Sequence, residues 1–163
     1  MTADADRTPT PTEARNLAAV ELLFAAFAAG TGGYDEFIAD HCVYETAGFP
    51  VLRGRKSIVD FLFRGGMHHV AERYANPDLL LIRRLVAEIV HLAAVGNVVF
   101  SERIDHHYTR DGREVLTPRL VGVMEFDYQA KCTGWRDYHD PAYFTGAPTP
   151  RWPDGSPTAL APE

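Results

Sequence analysis

From residue 80 to residue 139 the chain passes through four apolar stretches with no helical stretch between them, and this limits its fold more than any other feature. Residues 80–94 and 97–109 are rich in Val, Ile, Leu, Phe and Tyr, with Gly96 as the turn between them. Asp111 and Gly112 form a strong hairpin signal before the next strand, 114–126, because this pair tolerates the positive φ that a tight turn needs. A turn at 128–131 leads into a last strand over 133–139. Strands joined this closely, with no crossover helix, form an antiparallel meander rather than a wound parallel sheet.

The first half reads differently. Thr12 and Glu13 mark a helix start, and Leu17, Val20, Leu23, Phe24 and Phe27 recur at helical spacing. Gly30, Gly32 and Gly33 end that helix. Residues 34–40 read as a short second helix and 42–46 as a short strand. Residues 54–70 carry Ile58, Phe61 and Leu62 at helical spacing, so a third helix follows, ended or distorted by Gly65 and Gly66. The expected fold is α+β, with three N-terminal helices packed on a curved, mainly antiparallel mixed sheet. Such a sheet wrapped around a long helix makes a cone whose open end is the natural pocket. The folded unit spans 12–145. Residues 1–11 read as a disordered leader, and 146–163 as a tail whose five prolines exclude a helix or a central strand.

Composition removes several function classes. A formal net charge of −6 argues against nucleic acid, which demands clustered Lys and Arg. The longest apolar stretch, 17–29, is interrupted by Glu21 and is too short to span a membrane. The polar start holds no secretory signal. Cys42 and Cys132 have no CxxC spacing and read as two reduced thiols of a cytoplasmic protein. The open end of the cone points to a small-molecule substrate as the partner.

Strand alternation shows where chemistry can collect. Over 100–108, one face carries Ser101, Arg103, Asp105 and His107, and the other Phe100, Glu102, Ile104, His106 and Tyr108. In the last strand Trp135, Asp137 and His139 share a face. Two carboxylates beside one arginine suit acid–base catalysis, because a guanidinium can hydrogen-bond both and hold their protonation states apart. The alternative is a solvated ion pair on the outer face, worth little. The histidines raise a metal reading as well. His68–His69 and His106–His107 are adjacent pairs, which chelate poorly, and the first reads as surface or rim. His107, His139 and an Asp form the one two-His-one-carboxylate set available, and we expect no metal and no cofactor.

These residues resemble a known family. Ser101-Glu102-Arg103-Ile104-Asp105 is similar to the T-E-R-x-D strand of limonene-1,2-epoxide hydrolases. Gly122-Val123-Met124-Glu125-Phe126 resembles their next strand, and Trp135-Arg136-Asp137-Tyr138-His139-Asp140 their W-R-D-Y-F-D segment. Upstream, Val43-Tyr44-Glu45-Thr46 with Pro50 and Arg53-Gly54-Arg55 is similar to their Y-x-N segment and following loop. The resemblance covers about residues 15–145 and implies the cone fold of the NTF2-like, SnoaL-like superfamily. It implies one-step opening of an epoxide by water. Asp137 would be the general base, Asp105 the general acid and Arg103 the bridge, with Tyr44 helping to hold the water. It also implies a homodimer, for which Ile104, Tyr108, Leu120 and Met124 read as an apolar outer face.

Three positions depart from the family pattern. Thr46 stands where the family has its water-holding Asn, His139 where it has Phe, and His107 where an aliphatic residue is usual. Thr46, His107, Trp135 and His139 join Tyr44 as expected water- or substrate-binding residues. Two imidazoles imply a more polar or larger substrate, terpenoid or polyketide-like. They equally admit cyclisation, dehydration or isomerisation on the same fold, with His107 or His139 working beside Asp137. The remaining alternative is a ligand-binding dimer module without catalysis.

Overall fold

The computed structural model describes residues 8–30, 33–63 and 68–145. Residues 1–7 of the expected leader, Gly32, the Gly65–Gly66 pair and the 146–163 tail lie outside the described residues.

Helix α1 covers Pro11–Ala29 and starts one residue before the expected Thr12. Thr10 caps it. Its hydroxyl accepts from the Glu13 N–H at 3.3 Å, and its own N–H donates to the Glu13 carboxylate at 2.8 Å. Pro11 fits the first position because its missing N–H would have no helical partner there. Gly30 closes the helix in the left-handed region at φ 64°, which a residue with a Cβ enters at a cost.

Strand β1 covers Ile38–Thr46, and β2 covers Leu52–Arg53. Helices α2, Arg55–Phe63, and α3, His68–Arg73, follow. Then come β3, Ile82–Val95, and β4, Val98–Thr109. Strands β5, Glu114–Leu116, β6, Arg119–Phe126, and β7, Cys132–Tyr138, complete the sheet. The strand order is β2-β1-β7-β6-β4-β3, with β5 beside β4. All pairings are antiparallel except β1 with β7, so the sheet is mixed, as expected. The fold is α+β, three helices packed on a curled sheet.

Three local expectations need correction. Residues 34–40 hold only a 3-10 turn, Tyr34–Glu36, and the chain is already strand at Ile38. Long-range pairing overrides the local helical tendency here. The Cys132 N–H donates to the Phe37 carbonyl at 2.7 Å, and Ile38 is fully buried against the core. The helical stretch expected over 54–70 is seen as α2 and α3, the second reaching Arg73, with residues 64–67 outside the described residues. The expected strand over 114–126 breaks into β5 and β6 at Thr117 and Pro118, since proline cannot donate to a ladder. The Pro118 carbonyl still accepts the Asp105 N–H at 3.0 Å.

The outer-face reading fails for half of its residues. Directly paired antiparallel residues share a face. Arg103 pairs with Leu120 and Val99 with Met124, so Leu120 and Met124 lie on the inner face, and both are buried. Ile104 and Tyr108 remain on the outer face, with Glu102 and its partners Arg119 and His91. The large apolar residues exposed there are Phe100, Val121 and Tyr138.

The core lies between α1 and the inner face. Val20, Leu23, Phe24 and Phe27 meet Ile38, Val99, Met124 and Trp135. Phe27 stacks on Trp135 at 6.1 Å between centroids, and Phe24 meets the same indole edge-on at 6.2 Å. Glu13 is buried because its second oxygen accepts the Gly96 N–H at 2.9 Å, which ties the start of α1 to the β3–β4 turn. Cys42 and Cys132 are buried free thiols. Among the described residues, no helix is long and apolar enough to cross a membrane.

Candidate active site

The inner face of β4 has an apolar flank. Leu85, Ala87 and Ile89 of β3 stand opposite His107, Asp105 and Arg103. Against this flank, with α1 beneath, Arg103 is only 1% exposed. Its Nε donates to Asp105 Oδ1 at 2.9 Å and its Nη2 to Asp137 Oδ2 at 2.8 Å. Its Nη1 donates to Ser101 Oγ at 3.2 Å. The guanidinium carbon lies 4.8 Å from the Phe24 ring centroid. Burial disfavours the charge, but two adjacent carboxylates outweigh it and raise the Arg103 pKa above the usual range.

Asp137 is held on both oxygens. The Trp135 indole donates to Oδ1 at 2.9 Å, while Tyr44 donates to Oδ2 at 3.3 Å. Tyr44 reaches this point because β1 lies parallel to β7, with Tyr44 opposite Trp135 and Thr46 opposite Asp137. Burial, followed by the Asp137 carboxylate, pushes the Tyr44 phenol well up, so it stays a donor. Thr46 Oγ1 lies 2.9 Å from His139 Nε2. His107 is half-buried beside Asp105, and its Nδ1 donates to the Asp105 carbonyl at 3.0 Å.

The structure therefore brings Arg103, Asp105, Asp137, Tyr44 and Trp135 into one buried cluster. Thr46 and His139 form a pair at its edge, and His107 sits on the opposite side of Asp105. Trp135 is buried and braces Asp137. Among the described residues, no group of three His, Cys, Asp or Glu is placed to hold a metal ion. Sequence reasoning missed Ser101 as a partner of Arg103 and Phe24 as the floor beneath it. It also missed Gly122, although an isolated glycine within a strand is a known sign of close approach. A Cβ at Gly122 would collide with the Arg103 guanidinium and lie 2.7 Å from Ser101 Oγ. Gly122→Ala is expected to lower stability by about 1–3 kcal/mol through overpacking. Gly134→Ala meets only ordinary contacts with Glu125 and serves as its control in urea denaturation.

Both site histidines are held neutral. Burial pushes His107 and His139 below the usual imidazole value, with nearby carboxylates only partly opposing it. An unfolded chain protonates these rings near about pH 6.5, and the folded chain does so only at lower pH. Their contribution to stability is complete above that pH and falls as pH drops toward the folded values. The urea midpoint should therefore decline below about pH 6.5, and less steeply in a His107→Gln, His139→Gln double variant.

Across residues 14–146 the chain matches the family described as the limonene-1,2-epoxide hydrolase catalytic domain. The chain belongs to that family. Two solved structures share its fold. An LEH-like epoxide hydrolase from M. tuberculosis superposes with a TM-score of 0.64 at 26% identity, covering 85% of this chain and 88% of that one. A SnoaL-like polyketide cyclase from Jannaschia sp. CCS1 gives a TM-score of 0.62 at 14% identity, covering 87% of this chain and 99% of that one. The second likeness shows the NTF2-like fold alone. No curated protein matches this chain in sequence.

Proposed function

We propose that the chain is an epoxide hydrolase acting on a small terpenoid or polyketide-like epoxide, by one-step attack of water without a covalent intermediate. The observation that carries this reading is the buried Arg103 bridging Asp105 and Asp137, with Tyr44 on the same Asp137 oxygen as the arginine. Asp137 takes a proton from water while the water oxygen bonds to an epoxide carbon. The ring C–O bond breaks, and Asp105 delivers its proton to the departing oxygen. Arg103 keeps the two carboxyl groups in different protonation states. An epoxide is strained but leaves as a poor alkoxide, so a base on one side and an acid on the other remove the need for a stored intermediate. This chemistry needs no cofactor. His107 and His139 make the surroundings of the cluster more polar than the family pattern, which favours a substrate bearing hydroxyl or carbonyl groups.

A panel of cyclic terpenoid and polyketide-like epoxides incubated in ¹⁸O-water tests the reading. A diol carrying one ¹⁸O is expected. Complete absence of labelled diol across the panel would sink it. A second reading is favoured by Thr46 and His139, which replace the family's Asn and Phe: an internal nucleophile opens or rearranges the substrate. An unlabelled, isomeric product would select that reading. Self-association through the outer face, centred on Phe100, Val121 and Tyr138, is the assembly we propose. Sedimentation at micromolar concentration checks it, and a monomer would refute it.

A further inference from the structure

Arg103 stands on β4 and Asp137 on β7, and β6 runs between them. Two strand spacings put those backbones about 10 Å apart. Arg103 Nη2 nevertheless reaches Asp137 Oδ2 at 2.8 Å, so the side chain has to cross β6. Side chains of β6 that point inward would stand in its way. They belong to Leu120, Gly122 and Met124, and the first and last of these are large and buried. We propose that Gly122 is a positioning residue of the site: its missing side chain is the gap through which Arg103 crosses the sheet to bridge Asp105 and Asp137. The catalytic consequence rests on the epoxide-opening reading above, and the bridge itself does not.

Strand register sets the gap in place. Ser101 of β4 pairs with Gly122, and Gly122 pairs with Asp137 of β7, so the three form one row across the inner face. Arg103 starts two residues along from Ser101, opposite Leu120. Its Nη1 donates back to Ser101 Oγ at 3.2 Å, which draws the guanidinium into that row. A Cβ on Gly122 would collide with Nη1. It would also lie 2.7 Å from Ser101 Oγ and 3.0 Å from Asp137 Oδ1. All three atoms belong to the bridge or to the groups it binds. Gly122 does not have the positive φ that would call for a glycine, so its use lies in the space it leaves.

A methyl group in that gap would displace the arginine before anything else. Ser101 and Asp137 carry short side chains on paired strands and can move little. The guanidinium ends a long flexible side chain and is the part that yields. It cannot lift away from the sheet, because the Phe24 ring of α1 covers it, with the ring centroid 4.8 Å from the guanidinium carbon. It has to slide sideways instead. Its fork serves two carboxylates at once, Nε to Asp105 Oδ1 at 2.9 Å and Nη2 to Asp137, so a slide toward one opens the bond to the other. The bridge therefore breaks while the sheet stays folded, and activity falls further than the loss of stability accounts for.

Gly122→Ala tests this, with Gly134→Ala as the control, since a Cβ there meets only ordinary contacts with Glu125. In ¹H–¹⁵N NMR of the ligand-free wild type, the Arg103 Nε–H should be resolved and slow to exchange, because it is buried against Asp105. Gly122→Ala should shift or lose that signal under conditions where the chain is folded, and Gly134→Ala should leave it in place. The urea midpoint should fall with Gly122→Ala in the wild-type chain and fall much less in an Arg103→Met background, where no guanidinium meets the methyl group. On an epoxide that the wild type opens, Gly122→Ala should lower kcat about 10²-fold, the effect of a misplacement of about 1 Å, with KM changing far less. An unchanged Arg103 signal in folded Gly122→Ala would overturn the inference. So would an equal fall of the midpoint in both backgrounds, or a wild-type kcat. If the wild-type protein opens no epoxide, the hydrolase reading fails, while the Arg103 signal and the two midpoints still decide the role of Gly122.

Discussion

Asp137→Asn is expected to lower kcat/KM on a responsive epoxide by about 10²–10⁴-fold, the usual worth of a placed proton transfer. The substitution keeps the shape and one oxygen for Arg103 and Tyr44, but its NH2 then faces the Trp135 N–H and loses that bond. It removes the ability to take a proton from water and leaves the indole N–H unpaired, which costs about 1–3 kcal/mol of stability; a thermal melt beside the rate measurement separates the two effects. Asp105→Asn should give a similar loss for the opposite reason, because the amide cannot deliver a proton to the epoxide oxygen. If both carboxyls act in one step, the double variant should be little worse than either single one, since residues that work as a unit are not additive. Rates that simply multiply would mean two separate roles and would count against concerted opening. Wild-type activity in Asp137→Asn would remove the base altogether.

Arg103→Met should cost about 3–5 kcal/mol of stability, the penalty for breaking a buried ion pair by deleting one partner. The side chain is almost fully buried and bonds two carboxylates and a serine. Without it, the Asp137 carboxylate is left uncompensated beside Asp105 under an apolar floor. Adding Asp137→Asn to Arg103→Met should return part of the loss, because the uncompensated charge is gone. Urea denaturation of the four proteins in this cycle measures the coupling, provided the slopes stay equal. Purely additive effects would show that the bridge does not hold the cluster. Arg103→Lys should not rescue activity, since a single ammonium cannot span both carboxylates with the fork that a guanidinium presents.

Much of this arrangement can be read along the chain. The helical spacing from Leu17 to Phe27 becomes α1, and its glycine stop at Gly30 is in place. The four β-rich stretches become β3, β4, β6 and β7 in meander order, with β5 as a fragment of the third. Within β4, strict alternation puts Ser101, Arg103 and Asp105 on one face, and all three are buried there. Errors arose where a local pattern competed with distant pairing. Residues 34–40 look helical in isolation, but Ile38 is claimed by Cys132 across the parallel strand. Leu120 and Met124 look like surface apolars until their partners on β4 are known.

The sequence by itself determined the strand stretches of the second half, which of their residues alternate together, and that an arginine and two carboxylates stand on strands of one meander. These are short-range facts, set by the two-residue period of a strand and by the glycines and prolines that end it. Only the tertiary structure decided how the strands face one another. Whether Met124 lies beside Val99 on the inner face, and whether Tyr44 and Thr46 of β1 come to rest opposite Trp135 and Asp137, depends on register between strands distant in the chain. A slip of one residue would turn every side chain to the other face. That register is held by the buried core and by the Arg103 bridge.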